Sequence, residues 1–262
     1  MALDIDRYAH IESQLQTWDP RYKIFSLSLF IIIVALLKTL PLAIAALLLA
    51  LALLKLAKLP LYFVRQGLKW VILFLLPFLV ILPLSHPGIA AFQVLGLGFS
   101  WEGLNLAIIV IIKATSIVIT SYAIFATARF DVSMIALRHL KCPTVFVQML
   151  LFTYRYLFVF MDEMKRMDTA MKARGFVKKA NRATLTILGN FVGTLLVRSF
   201  ERTERIYKAM LSKGYQGELH TLVVFQSKTS DLQKMGITLI ITVLLIILDS
   251  SGLFTTTAQS GF

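Results

Sequence analysis

An all-α membrane protein is the fold class this sequence predicts, with about five transmembrane helices and a cytoplasmic block of two long helices between the fourth and last spans. Three observations predict it. Hydrophobic residues fill 58% of 262 positions and gather in membrane-length runs. Lys and Arg number 27 against 14 Asp and Glu, and they avoid the same segments throughout. A cationic stretch ending in glycine occurs twice, 39 residues apart. The apolar runs exclude a nucleic-acid binder, which would carry its basic charge on a soluble domain. Cys142 is the lone cysteine, so no internal disulfide forms and no metal cluster is built on it. It reads as a packed small residue, since no His/Asn constellation accompanies it. Residues 1–23 are polar and charged, so no cleavable signal peptide is expected there.

The organisation follows in chain order: residues 1–23 as a cytoplasmic segment, 24–128 as four spans, 129–233 as the cytoplasmic helices, and 234–262 as the last span and tail. Residues 24–37 and 40–54 are separated by Lys38-Thr39. Each is short for 30 Å of hydrocarbon, so two closely spaced spans with snorkelling lysines, or a single bent hairpin, are both open. Residues 70–84 contain Pro77 and Pro83, which predicts a kinked or partly re-entrant span. Residues 104–128 cross unaided, and 235–248 form the fifth run. Asp19-Pro20 reads as a helix cap and first-turn proline.

Charge then orients the spans. Arg7, Arg21 and Lys23 precede the first run, and Lys55, Lys58, Arg65 and Lys69 are read as a loop after the second. Residues 128–234 hold 18 Lys and Arg against 8 Asp and Glu, whereas 83–103 hold no Lys or Arg. Starting inside, five crossings keep nearly all the basic segments cytoplasmic. Lys113 falls near the middle of the fourth run, where an unpaired charge is costly. It reads either as part of a substrate path or as a lysine facing Thr115, Ser116 or a neighbouring subunit, paired with Glu102 or Asp249.

Between 131 and 218 the pattern is helical. Asp131 or Ser133 caps a short helix ending near Lys141, and Pro143 opens the next. Phe146, Leu150, Thr153, Leu157, Phe160, Met164, Met167 and Met171 alternate steps of four and three, a seam that must pack on another helix. A second helix, about 181–213, starts at Asn181 and carries a looser stripe through Leu185, Leu188, Val192, Leu195, Phe200, Ile206 and Met210.

Both helices end alike. Arg166, Ala170, Met171, Arg174, Gly175 and Phe176 align with Arg205, Ala209, Met210, Lys213, Gly214 and Tyr215. Ordinary C-terminal capping explains each glycine and its preceding cation. It leaves over the alanines, where a small residue admits a close surface, and the aromatics, which suit an anchoring pocket. A cation at a rigid helix end suits an acidic pocket on a partner. The methionines suit either a shifting interface or a buried seam.

These residues, with Asp19-Pro20-Arg21-Tyr22-Lys23 before the first run, resemble the transmembrane coupling (T) component of energy-coupling factor (ECF) transporters, the EcfT/CbiQ family. The opening Ile5–His10 and Trp18–Lys23 resemble the CbiQ branch, which implies cobalt or nickel import. The resemblance implies two Ala-Arg-Gly-like tips docking on a pair of ABC-type ATPases, through coupling helices. Ala173-Arg174-Gly175 matches the first tip, and Ser212-Lys213-Gly214 the second with lysine for arginine. It also implies a membrane S component, CbiM-like and possibly with a CbiN-like companion, that captures the substrate. The chain has no G-x-x-x-x-G-K-[ST], so ATP is expected on the partners and no cofactor or metal on this chain. His10, His86, His139 and His220 are scattered without ligand spacing. No acid/base pair or nucleophile constellation is readable, so no enzyme is expected. A self-contained channel would place Lys113 in its path, but the odd span count and the missing inverted repeat oppose it. Anionic lipid is a further expected partner of the basic block.

Overall fold

A computed structural model describes residues 13–85, 90–94, 97–217, 225 and 227–251. These residues fall into two compact units: one from the described residues between Lys141 and Val223, the other from those up to Leu140 and those after Val224.

The larger unit is a bundle around a long helix. Its elements are α1 (Pro20–Leu36), α2 (Leu40–Ala57), α3 (Leu61–Leu75), α4 (Phe78–Ser85), α5 (Trp101–Phe125), α6 (Phe130–His139) and α9 (Thr229–Ser250). A hairpin of β1 (Ala90–Val94) and antiparallel β2 (Leu97–Ser100) precedes α5. Its strands fall within the Lys/Arg-free stretch, for which the sequence reading had no element.

The α1 start follows from its letters. Asp19 accepts a hydrogen bond from the Arg21 backbone N–H (3.0 Å), and Pro20 occupies the first turn, where no N–H is needed. Arg21 forks back onto the Asp19 carboxylate, with Nη2 at 2.9 Å. Lys23 is fully buried; its ammonium donates to Thr127 Oγ1 (3.0 Å) and the Leu15 carbonyl (3.3 Å). That bond ties the start of α1 to the end of α5.

Small residues set the tightest packing. Ala43, Ala46, Ala50 and Ala57 are fully or almost fully buried along one face of α2, which lies against α5. With no bulky side chains between them, backbones approach closely, and Ser116 Oγ donates to the Ala46 carbonyl at 3.1 Å. Gly103 does the same for α4: a Cβ there would stand 2.6 Å from the Leu82 carbonyl oxygen and from Pro83 Cα.

Lys113 is explained by unequal helix lengths. The Lys23–Thr127 bond and the bond from Lys113 Nζ to the Leu37 carbonyl (2.7 Å) fix α1 antiparallel to α5. The turn from α1 to α2 therefore stands level with Lys113, while α5 continues for another 12 residues, about 18 Å. Lys113 sits at the rim of the shorter helices rather than inside a path through them. Asp249, at the end of α9, completes the cluster. Its carboxylate accepts from the backbone N–H groups of Lys38 (3.2 Å) and Thr39 (3.3 Å) and from Thr39 Oγ1 (3.0 Å), capping α2 from another helix.

Several expectations are corrected. Lys55, Arg65 and Lys69 are not in a loop, because α2 runs to Ala57 and α3 begins at Leu61; Val64, Leu68, Val71 and Leu75 make the inward stripe of α3 while Arg65 and Lys69 face outward. The third apolar run is thus the second half of a continuous stretch, Leu61–Ser85, broken near Pro77. The short helix α6 has neither Asp131 nor Ser133 as its cap, since Arg129 takes that position. It packs on α1. Pro143 stands at the N-cap of the next helix, one residue before its first turn.

Among the described residues, six stretches are long and apolar enough to cross a membrane: Leu40–Ala57, Leu61–Ser85, Trp101–Phe125, Thr144–Ala173, Arg182–Ser212 and Thr229–Ser250. The chain is a multi-pass, all-α membrane protein with that one small hairpin. The set differs from the five runs read in the sequence. At 17 residues α1 falls outside it, and both long helices fall inside it. Their apolar halves qualify them; from Asp162 onward the first is densely charged.

Candidate functional site

The smaller unit consists of α7 (Thr144–Ala173) and α8 (Arg182–Ser212) with the segments that follow each. Asn181 caps α8, its Oδ1 accepting from the Thr184 N–H at 2.8 Å. The helices run antiparallel. Phe152 and Tyr156 of α7 share a cleft with Ile206 and Met210 of α8, whereas Met164 and Asp168 share one with Leu188 and Phe191. Near their middles Arg198 pairs with Glu163.

The packing is shallower than the heptad-like seam suggests. Leu150, Leu157, Phe160, Met167 and Met171 are half-buried, but Phe146 and Met164 are exposed. On α8 the stripe residues Leu185 and Phe200 are 72% and 71% exposed. The seam therefore packs on its partner helix along only part of its length, and Met164 stays on an open face while Met167 and Met171 are half-buried. Two long rods that cross touch over few layers, and their remaining apolar faces stay open.

The two ends are the same structure. After α7, the Gly175 N–H bonds the Lys172 carbonyl (3.0 Å) and the Phe176 N–H bonds the Met171 carbonyl (3.1 Å). After α8, the Gly214 N–H bonds the Leu211 carbonyl (2.9 Å) and the Tyr215 N–H bonds the Met210 carbonyl (3.0 Å). Gly175 and Gly214 hold φ of +81° and +83°. This is the Schellman cap, in which a left-handed glycine lets two N–H groups close the last turn. Its register makes Arg174 and Lys213 equivalent cap residues, with Met171 and Met210 three positions inside and the aromatics one beyond glycine.

That register revises one expectation. The cap commonly brings the residue after glycine against the third-from-last helical residue. Met210 and Tyr215 line one cleft, so the second aromatic has a role inside the chain beside the cap, which glycine alone was thought to fill. Tyr215 is further committed: its hydroxyl donates to Gln148 Oε1 (2.9 Å), and Gln148 Nε2 donates to the Gly217 carbonyl (2.9 Å). Gln148 is buried, with both amide ends satisfied, and it secures the second tip against the start of α7. Sequence reading passed over it, although a lone amide in the run Val-Phe-Val-Gln-Met-Leu-Leu was a signal. Phe176 makes no such bond and is half-buried.

Everything else at the tips faces outward. Ala173, Arg174 and Gly175 are exposed, as are Ser212, Lys213 and Gly214. Nothing lies within 4 Å of where a Cβ would stand on either glycine. Among the described residues Arg174 and Lys213 have no carboxylate partner. One turn inward Ala170 and Ala209 are exposed and Met171 and Met210 half-buried, and a turn further in Arg166 and Arg205 are exposed. Lys172 pairs with Asp168 at 2.5 Å, and Lys208 with Glu204 at 2.8 Å. The arrangement offers two unpaired cations on rigid, open ends. Because the helices are antiparallel, the ends point apart, separated by roughly the 45 Å length of α8.

Among the described residues no three His, Cys, Asp or Glu side chains come together. His139 lies with Nδ1 3.1 Å from the Ile135 carbonyl and its ring edge-on to Phe225; His10, His86, His220 and Ile5–His10 lie outside the described residues.

A family model described as cobalt transport protein, CbiQ, matches residues 12–223. The energy-coupling factor transporter transmembrane protein EcfT of Bacillus subtilis is 28% identical, over 81% of this chain and 84% of its own. EcfT of Staphylococcus aureus is 26% identical, over 94% and 96%. The cobalt transport protein CbiQ of Rhodobacter capsulatus is 24% identical over 48% of this chain and 52% of its own. An uncharacterized protein of Methanocaldococcus jannaschii is 28% identical over 93% and 86%. The chain belongs to the CbiQ/EcfT family, the transmembrane T components of ECF transporters.

Proposed function

We propose that this chain is the non-catalytic coupling subunit of an ATP-driven importer, and that its two capped tips dock on two ABC-type ATPase subunits. The observation that carries the reading is the pair of matching Schellman ends, each presenting an exposed cation without a carboxylate partner among the described residues. A helix end closed this way is stiff. A guanidinium or ammonium fixed on it suits an acidic groove, because little side-chain and no backbone freedom is lost on docking. ATP stays on the partners. Their closure moves the tips, and the crossed helices pass that motion to a membrane S component that holds the substrate. Positive charge on 129–233 and before α1 supports placing both on the cytoplasmic side of the plasma (inner) membrane.

Cobalt, with nickel as its neighbour, is the proposed cargo, and a CbiM-like S component, possibly with a CbiN-like companion, the proposed captor. The support is the family description and the Rhodobacter relative's name. Several relatives of greater coverage carry the general EcfT name instead, which supports a vitamin-importing complex as the second reading. Uptake of labelled cobalt, nickel and vitamins by cells carrying the whole operon separates them.

Arg174→Glu tests the docking. Arg174 is exposed and has no carboxylate partner among the described residues, so the variant should insert and fold normally. Reversing one partner of a desolvated charge pair costs 2–5 kcal/mol, so ATPase co-purification should fall by at least about 30-fold. Retained co-purification and uptake would refute the role given to Arg174. Lys213→Arg should hold or strengthen the second contact, since the planar fork grips a carboxylate with two bonds.

A further inference from the structure

We propose that the bundle carries a built site for one anionic phospholipid, in a groove on its lipid-facing side. The groove encloses about 300 Å³ and is lined from α1, α2, α9 and the segment before α1. Leu53, Leu56, Ile237 and Ile241 give it apolar walls. From Leu49 to Leu56 and from Lys234 to Ile241 the lining runs seven residues, about 10 Å, which matches much of one leaflet's depth.

Polar groups mark the groove at one end. Trp18 lines it, is 3% exposed, and its indole N–H is buried without a hydrogen-bond partner among the described residues. Lys234 lines it too; its ammonium makes one long bond, 3.4 Å to the Gln14 carbonyl, and no ion pair among the described residues. Buried N–H groups are seldom left unbonded, and this one is closed off from the groove in this structure, so an acceptor reaches it only as a headgroup opens that end of the groove. A neighbouring transmembrane helix would bring apolar side chains and carbonyls already bonded within their own ladder. An acceptor that is anionic, yet attached to a body that fits apolar walls, is a phospholipid headgroup with its acyl chain. The end of the bundle is also the right one. Trp18 precedes α1 beside basic Arg21 and Lys23, at a level where tryptophan favours the membrane interface. In the proposed orientation this is the inner leaflet. The inference rests on the membrane assignment and not on ATPase docking.

Trp18 supplies its own probe. Trp70 and Trp101 are 67% and 64% exposed, so Trp70→Phe with Trp101→Phe should leave the full chain folded and Trp18 as its sole indole. That variant is reconstituted in phosphatidylcholine vesicles containing a minor share of brominated lipid. Brominated phosphatidylglycerol should quench Trp18 at about one-fifth the concentration that brominated phosphatidylcholine needs, the factor one interfacial lysine is worth. Lys234→Gln should remove the difference, Lys234→Arg should keep it, and free inorganic phosphate should not compete. Equal quenching by both lipids in the parent would mean ordinary lipid contact and overturn the proposal. No quenching by either would mean the groove is closed to lipid, and would overturn it too. Competition by free phosphate would make the site one for the ion alone and equally sink it.

Discussion

Replacing Gly175 and Gly214 together by alanine separates the tips from everything else the chain does. Each glycine holds a left-handed backbone, which costs an L-residue roughly 1–2 kcal/mol. Alanine recovers part of that by restricting the unfolded chain, so about 1 kcal/mol per site remains. No atom lies within 4 Å of either new Cβ, so the cost stays in the backbone and no clash spreads to the helices. Relaxing the backbone breaks the two bonds that close each cap and re-aims Arg174 and Lys213. If both tips must hold this shape to dock, about 2 kcal/mol is lost across the complex, a drop of about 30-fold in affinity. The assay is titration of purified ATPases onto the subunit in nanodiscs, with thermal unfolding of the subunit alone as control. Weakened docking is expected, with a loss in unfolding stability of no more than about 2 kcal/mol for the two sites together. Wild-type docking by the double variant would refute the argument that the caps shape the contact.

Gly103→Ala should do the reverse. Its Cβ would lie 2.6 Å from backbone atoms of Leu82 and Pro83, which cannot swing aside, so a cost of about 1–3 kcal/mol should appear as poor yield and a lowered unfolding midpoint. Asp249→Ala removes the carboxylate that caps α2 and stands beside Lys113. About 1–2 kcal/mol of bundle stability should go, with docking retained. An unchanged midpoint would show that α2 does not need this cap.

Much of this was legible because each signal was local. Asp19-Pro20 announces a helix start, since a carboxylate and a ring without N–H suit only that place, and both act there. The matched tips could be aligned by eye because a Schellman cap is written in six consecutive residues. What escaped depended on distance. Lys113 does lie midway along its helix and close to Asp249, as its paired reading held, but its main partner, the Leu37 carbonyl, depends on where α1 ends and so could not be read from spacing. Arg65 and Lys69 looked like loop residues, although a period of 3.6 through Val64, Leu68, Val71 and Leu75 already allowed a helix with both cations outward. How far the long seam is covered was left open for a related reason: regular spacing records which face is apolar, not how much of it one partner covers. Tyr215 looked like a free anchor, and only the fold brings Gln148 to its hydroxyl across 67 residues.

Site-directed cross-linking tests the central claim most directly. With Cys142 replaced by serine, Ala173→Cys and Ser212→Cys each place a single thiol beside a cap on an exposed surface. In membranes holding the assembled complex, both positions should cross-link to an ATPase subunit, and both links should become less efficient in the Arg174→Glu, Lys213→Glu background. An assembled, transporting complex in which neither thiol reaches an ATPase would contradict the account.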